Sequence, residues 1–210
     1  MEAVISAMKF NPVCYGIMGD EVPALEGKAY GYVLAGNGVF KRAENSHFDV
    51  CVPISRVRVA GLPEIRPWVK IRHGRIPERL LLTTLEDARR QAAVKPVEAG
   101  YHYSFQNGMV RLTRPVQTAT ADSLQYLGGD GPETFCDLHS HCNYRAFFSG
   151  TDNKDELGFR FYAVMGLIFE RQPEIRVRLG IYGDFVDLPA TVLFGGIGEM
   201  RDMGEFSWSR

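Results

Sequence analysis

An α+β or α/β arrangement is the fold class this sequence predicts, and three observations predict it. One stretch, 77–90, carries apolar residues at helical spacing. Around it lie short runs rich in β-branched and aromatic residues, punctuated by Asn-Gly and Gly-Asp turn dipeptides. No internal repeat or low-complexity tract interrupts the 210 residues, so a core domain with a smaller appendage accounts for the length.

Residues 1–70 read as a β-rich N-terminal region. The runs 31–34 and 39–41 flank Asn37-Gly38, two residues that tolerate the positive φ of a tight hairpin turn. The runs 50–54 and 57–59 are further strand candidates, and Pro63 and Pro67 mark the passage to a second unit, 71–210. That unit opens with a helix. Pro77 suits a first helical turn, Leu80, Leu81, Thr84, Leu85 and Ala88 form the buried stripe, and Glu78, Glu86, Asp87, Arg89 and Arg90 form the wet face. Strand candidates follow at 100–105, 109–112, 135–138, 159–169, 175–182 and 185–188, with turns at Asn107-Gly108 and Gly183-Asp184. The tail from Gly195 onward, with Trp208, carries no clear pattern.

Composition excludes several function classes. Hydrophobic residues at 45% and charged residues at 23% describe a soluble, core-forming chain. A formal net charge of -1 supplies no field to draw in nucleic acid or an anionic membrane, so neither is expected as a partner. No uninterrupted apolar run approaches about 18 residues, so no membrane span is expected. Residues 1–20 lack a basic start, a continuous apolar run and a small-residue cleavage site, so no secretory signal is read. Cys14, Cys51, Cys136 and Cys142 form no Cys-x-x-Cys pair, and reduced thiols in a cytoplasmic protein are the expectation.

The chemistry concentrates in 136–152. It reduces to His139-x-His141, seven residues, Ser149, two residues, Asp152. In an extended strand, residues two apart point to the same face, so both imidazoles can reach one ion. Asp152 follows a turn-forming Ser-Gly-Thr that can bring it back to them. Two imidazoles and a carboxylate suit zinc, and three protein ligands leave a fourth position open, as a catalytic site requires. A lone His-x-His reads equally well as alternating strand residues with ordinary hydrogen bonds; Ser149 and Asp152 at these offsets favour the metal site. A closed site from Cys136, His139, His141 and Cys142 would crowd four ligands into seven residues, which an extended strand cannot wrap around one ion. Gly128-Gly129-Asp130-Gly131 lacks the Lys-Ser/Thr of a phosphate loop and reads as a turn. His47, His73 and His102 read as surface or hydrogen-bonded singletons. Tyr144, Phe147 and Phe148 read either as groove walls or as core.

His139-Ser-His141, seven residues, then Ser149-Gly-Thr-Asp152 resembles the motif of the JAMM (JAB/MPN) zinc metallopeptidases. The resemblance runs from about Arg75 to Phe194. The stretches Asp137-Leu-His-Ser-His and Ala146-Phe-Phe-Ser-Gly-Thr-Asp152 resemble in particular a bacterial branch found beside ubiquitin-activating-like and conjugating-like proteins, the PRTRC system included. It implies an MPN/JAB-like, cytidine-deaminase-like sheet flanked by helices. It also implies Zn2+ held by His139, His141 and Asp152, and hydrolysis of an amide or isopeptide bond at the C-terminus of a ubiquitin-like protein. The partners implied are that substrate and the activating and conjugating proteins. Other outcomes are a non-catalytic MPN-type scaffold or a general zinc peptidase.

One departure stands out: where the family usually has proline after the second histidine, this chain has Cys142, which removes a backbone-positioning role. The family's general base is a glutamate on an earlier strand. Glu78, Glu86, Glu98 and Glu133 are the candidates, and Glu98, at the start of a strand after the helix, matches best. The resemblance then implies that Glu98 moves the proton from water to the leaving amine while Ser149 donates a hydrogen bond to the oxyanion. No Gly-x-Ser-x-Gly elbow surrounds Ser149, so it is not expected to be a nucleophile.

Overall fold

The structure, a computed structural model, describes residues 13–16, 21–120, 124–128 and 131–205. Most of 1–20, where the absence of a secretory signal was read, lies outside the described residues, as do Gly129, Asp130 and Trp208. The chain divides between Arg72 and His73 into two compact units.

The first unit is a five-stranded sheet in chain order: β1 (Val13–Gly16), β2 (Tyr30–Ala35), β3 (Gly38–Glu44), β4 (Phe48–Ser55) and β5 (Trp68–Ile71). β1 pairs with β2 in parallel and the remaining neighbours are antiparallel. Val33, Ala35, Phe40, Cys51 and Ile65 form its core, with Val22 and Trp68 packed against them. The hairpin turn sits at Gly36-Asn37, one residue before the expected Asn37-Gly38. Asn37 is drawn there because its side-chain amide donates to the Ile65 carbonyl and its side-chain oxygen accepts from the Ile65 N–H. Residues 57–59 form no strand: Val57 is exposed, and Val59 N–H bonds to Gly36 in the loop that crosses the turn.

The second unit holds α1 (Glu78–Val94), then β6 (Ala99–Gln106), β7 (Met109–Thr113), β8 (Gln117–Ala119), β9 (Leu124–Tyr126) and β10 (Thr134–Ser140). After these come α2 (Asp152–Asp155), β11 (Phe159–Gly166), β12 (Glu174–Ile181), β13 (Asp184–Leu188), α3 (Ala190–Leu193) and β14 (Arg201–Asp202). The main sheet runs β13-β12-β11-β10-β6-β7, with β14 beside the start of β12; β8 and β9 form a separate hairpin. α1 stops where it does for a local reason. Lys95 precedes Pro96, which disfavours helical backbone, and Lys95 is extended at φ -148. The strand expected over 159–169 ends at Gly166, because Leu167 takes a positive φ of 49 and the chain turns.

The expected α+β class, a sheet flanked by helices, is corrected by this architecture. Strand accounts for 42% and helix for 14% of the chain, in several sheets. Among the described residues α1 alone exceeds four helical residues. The physical reason lies in the two faces of the main sheet. One carries Tyr101, Tyr103, Leu138, Phe161, Ala163, Met165, Val177 and Leu179, all buried, and receives Leu81, Thr84, Leu85, Ala88 and Ala92 of α1. Thr84 Oγ1 and Tyr103 Oη hydrogen-bond at 2.6 Å across that contact. The other face carries Asp137, His139, Arg160, Tyr162 and Arg178, which need polar partners rather than an apolar helix. The hairpin β8–β9 and the connection 141–158 supply them.

Leu81 is fully buried against the sheet. Leu81→Ala is expected to cost about 2–5 kcal/mol of stability in denaturant melts. A loss well under about 1 kcal/mol would show that α1 is not clamped as described.

Candidate metal centre

The site is built on the pairing of β10 with its two neighbours. β10 runs antiparallel to β6, with His139 opposite Gly100 and Ser140 opposite Ala99. Continuing that register by one step sets Glu98 across from His141. On its other side β10 runs parallel to β11, and His141 N–H extends that ladder by bonding to the Met165 carbonyl at 2.8 Å. Parallel neighbours need a long crossover connection. Here that connection, 141–158, leaves from the C-terminal end of β10 and carries Ser149 and Asp152 back over the polar face.

The predicted ligands converge. His139 Nε2 and His141 Nε2 lie 3.0 Å apart, His139 Nε2 lies 3.8 Å from Asp152 Oδ1, and one ligand atom from each residue falls within 4.8 Å of the others. Donors of a tetrahedral ion at about 2.0–2.1 Å are separated by about 3.3 Å, so the donor set fits a metal ion after small rotations. Both histidines are buried. Burial pushes His139 down to about 4, against the nearby Asp152 carboxylate, which raises it; burial lowers His141 as well. Both rings are therefore neutral at pH 7, the state in which imidazole binds metals. His141, His139 and Asp152 could hold a metal ion.

Asp152 serves two structures at once. Its Oδ2 accepts from Ser149 N–H, while Ser149 Oγ accepts from Asp152 N–H at 3.2 Å. This reciprocal pair is the capping-box pattern of a helix start, and it closes the turn that begins α2. Oδ1 is left facing His139. Ser149 Oγ accepts in this pair and retains its proton to donate.

Glu98 stands just before β6, buried, with Oε1 3.7 Å from His141 Nε2. Glu78 and Glu86 lie exposed on α1, and Glu133 lies exposed beside a different cavity, so the structure brings only Glu98 of the four candidates to the histidines. Cys136 points with Tyr103 and Phe161 into the apolar face, away from His139.

Sequence reasoning missed the residues that orient the ligands. His141 Nδ1 faces the Arg145 carbonyl at 3.2 Å; a carbonyl can only accept, so Nδ1 donates and the lone pair sits on Nε2, toward the site. Arg145 is held in turn by the fully buried Glu174, which also accepts from Ala146 N–H. The loop lies directly on Gly166, where a Cβ would stand 2.2 Å from Ala146 N. Cys142 has a positive φ of 48 and donates its thiol to the Val97 carbonyl at 2.8 Å. It therefore ties the end of β10 to the residue before Glu98, which corrects the expectation that a positioning role is lost there. Burial, and then the Glu98 carboxylate, raise the Cys142 thiol, so it stays protonated and can donate.

A cleft of about 760 Å³ opens beside the histidines, lined by Tyr144 and Phe147 of the connection and by Leu124 and Tyr126 of β9. Phe147 packs edge-on against His141 at 4.7 Å. Phe148 is turned away onto Arg178, so it is not the wall the sequence suggested. Tyr126 is held over the site face by its hydroxyl, which donates to Asp137 at 2.6 Å. Gly100 makes this possible, since a Cβ there would meet the Tyr126 hydroxyl at 2.5 Å. His102, expected as a singleton, is buried beside Tyr126 and faces Asp137 at 3.7 Å.

No protein-family model matches this chain, and no curated protein matches it either. No helix among the described residues is long and apolar enough to cross a membrane.

Two outcomes follow from this geometry. His139 titrates near 4 when folded and near 6.5 when unfolded, so between those values the unfolded chain binds more protons. Stability of the metal-free protein should therefore fall as pH drops from 6.5 toward 4, and urea midpoints should fall less steeply for His139→Leu. Equal pH dependence in both proteins would contradict the buried neutral ring. Cys142→Pro should cost more than about 1 kcal/mol, because proline fixes φ near -65° where Cys142 stands at 48°. Urea unfolding that is unchanged by the substitution would show that the backbone at 142 is not left-handed.

Proposed function

We propose that this chain is a zinc-dependent hydrolase of the JAMM kind, cutting an amide or isopeptide bond at the C-terminus of a ubiquitin-like protein. The observation that carries this reading is Glu98: a buried carboxylate 3.7 Å from one histidine of the donor set, held at the residue just before β6. A closed structural metal site has no use for such a group, whereas a hydrolase needs a proton carrier beside an open coordination position. Two imidazoles and one carboxylate suit zinc. When bound, zinc supplies the Lewis acidity that makes water nucleophilic at neutral pH and polarises a carbonyl. Glu98 accepts the proton of the attacking water and returns it to the leaving amine. Ser149, its Oγ held by Asp152 N–H, donates its proton as a hydrogen bond to the developing oxyanion. The cleft between Tyr144, Phe147, Leu124 and Tyr126 suits an extended tail with small residues at the scissile bond, such as a glycine-rich C-terminus. Activating-like and conjugating-like proteins are the partners this reading brings with it.

The experiment combines metal analysis with a substrate. Wild type should bind one zinc per chain, and the His139→Ala/His141→Ala variant should fold but lose it. Glu98→Ala should bind zinc normally and lose about 10²- to 10⁴-fold in hydrolysis. The substrate is a ubiquitin-like protein encoded beside this chain, carrying a C-terminal extension and followed by mass. A Glu98→Ala variant with full activity would remove the proton carrier from the proposal. Zinc-dependent cleavage of unrelated peptides, with the extension left intact, would replace the ubiquitin-like substrate by a general peptidase activity.

A further inference from the structure

Arg178 lies on β12, on the same sheet face as His139, and it is buried. Every polar partner that its guanidinium finds is in one short segment. Nε and Nη2 donate to Glu156, and Nη1 donates to the side-chain oxygen of Asn153. The rings of Phe148 and Phe185 lie against its guanidinium carbon, with centroids at 3.8 and 3.9 Å. Phe148, Asn153 and Glu156 bracket Ser149 and Asp152 on both sides. α2 itself offers little else to hold it, since none of its four residues is buried.

We infer that Arg178 is the positioning residue for Asp152: its guanidinium clamps the segment 148–156 to the sheet and so sets Asp152 Oδ1 and the Ser149 hydroxyl against the two histidines. This rests on the proposed metal site, but the clamp is a property of the chain with or without the ion. A planar, delocalised cation is required, because it must lie against two rings while donating three hydrogen bonds in its own plane. Lysine keeps the charge and loses both features. His139 and His141, by contrast, are held by the backbone ladder of β10 and hydrogen-bond to no atom of Arg178, whose charge reaches His139 only through space. Loss of the clamp should therefore leave a two-histidine half-site, with the third ligand free to wander.

The test is a double-mutant cycle on zinc affinity, with amide exchange of the metal-free protein as a second readout. Arg178→Lys should weaken zinc binding by about 10- to 100-fold. In an Asp152→Ala background the same substitution should change affinity little, because its route of action is gone. Amide exchange should speed up across 149–156 and remain unchanged in β10. Arg176→Met, on the same strand and paired with Asp187 rather than the segment, should do neither. Phe148→Leu cuts the clamp from the loop side and should act in the same direction; it decides the matter if Arg178→Lys fails to fold. An equal loss of affinity in the Asp152→Ala background, or unchanged exchange across 149–156, would overturn the clamp. If wild type binds no zinc, the functional reading fails, and amide exchange still decides the clamp.

Discussion

Two strands that run the same way cannot be joined by a tight turn, and the site depends on that constraint at β10 and β11. The chain must leave the C-terminal end of β10, cross the sheet and re-enter at the start of β11. In most such crossovers a helix covers the sheet. Here 141–158 contains only the single turn of α2, and the rest of the connection is loop. Its backbone is satisfied locally, by the Leu167 and Ile168 N–H groups at the end of β11 and by the reciprocal bonds of Ser149 and Asp152. That economy leaves the carboxylate, the hydroxyl and two aromatic rings standing over the histidines.

The same sheet separates stability from chemistry. Its apolar face is buried, with α1 against β6 and the short α3 against β12, and each large side chain removed from water there contributes roughly 1.5–3 kcal/mol. Its polar face holds groups that are expensive to bury alone, and three of them are answered by specific partners. Arg145 answers Glu174, Glu156 and Asn153 answer Arg178, and Tyr126 answers Asp137. Burial pushes Glu156 up to about 8, against the guanidinium that lowers it, as follows for a carboxyl taken out of water. Dryness also keeps His139 and His141 neutral, so the packing that hides the imidazoles prepares them for a metal.

Much of the fold was legible locally. The stripe Leu80, Leu81, Thr84, Leu85 and Ala88 located α1, although Leu80 is only half-buried, because helical spacing acts within a few residues. Turn dipeptides located the hairpin at Asn107-Gly108 correctly, set the turn observed at Tyr182-Gly183 one residue late at Gly183-Asp184, and missed the first hairpin by one residue. There a distant partner, Ile65, chose the position of Asn37. The second layer of helices was expected from a resemblance of motif. A motif of four residues constrains the site and leaves open what covers the sheet.

His139, His141 and Asp152 were readable because their spacing alone places two imidazoles on one strand face and a carboxylate within reach of a loop. The sequence by itself determined that donor set, the buried stripe of α1 and the turn chemistry of Ser149-Gly-Thr-Asp152. Tertiary structure decided the rest. The register of β6 against β10 selected Glu98 among four glutamates, since only strand pairing brings residues 43 positions apart, Glu98 and His141, into contact. Cys142, Glu174 and Arg178 took their orienting roles through contacts 22 to 45 residues away in the chain. No local pattern encodes such contacts, because a buried ion pair or thiol bond exists only once the sheet has formed around it.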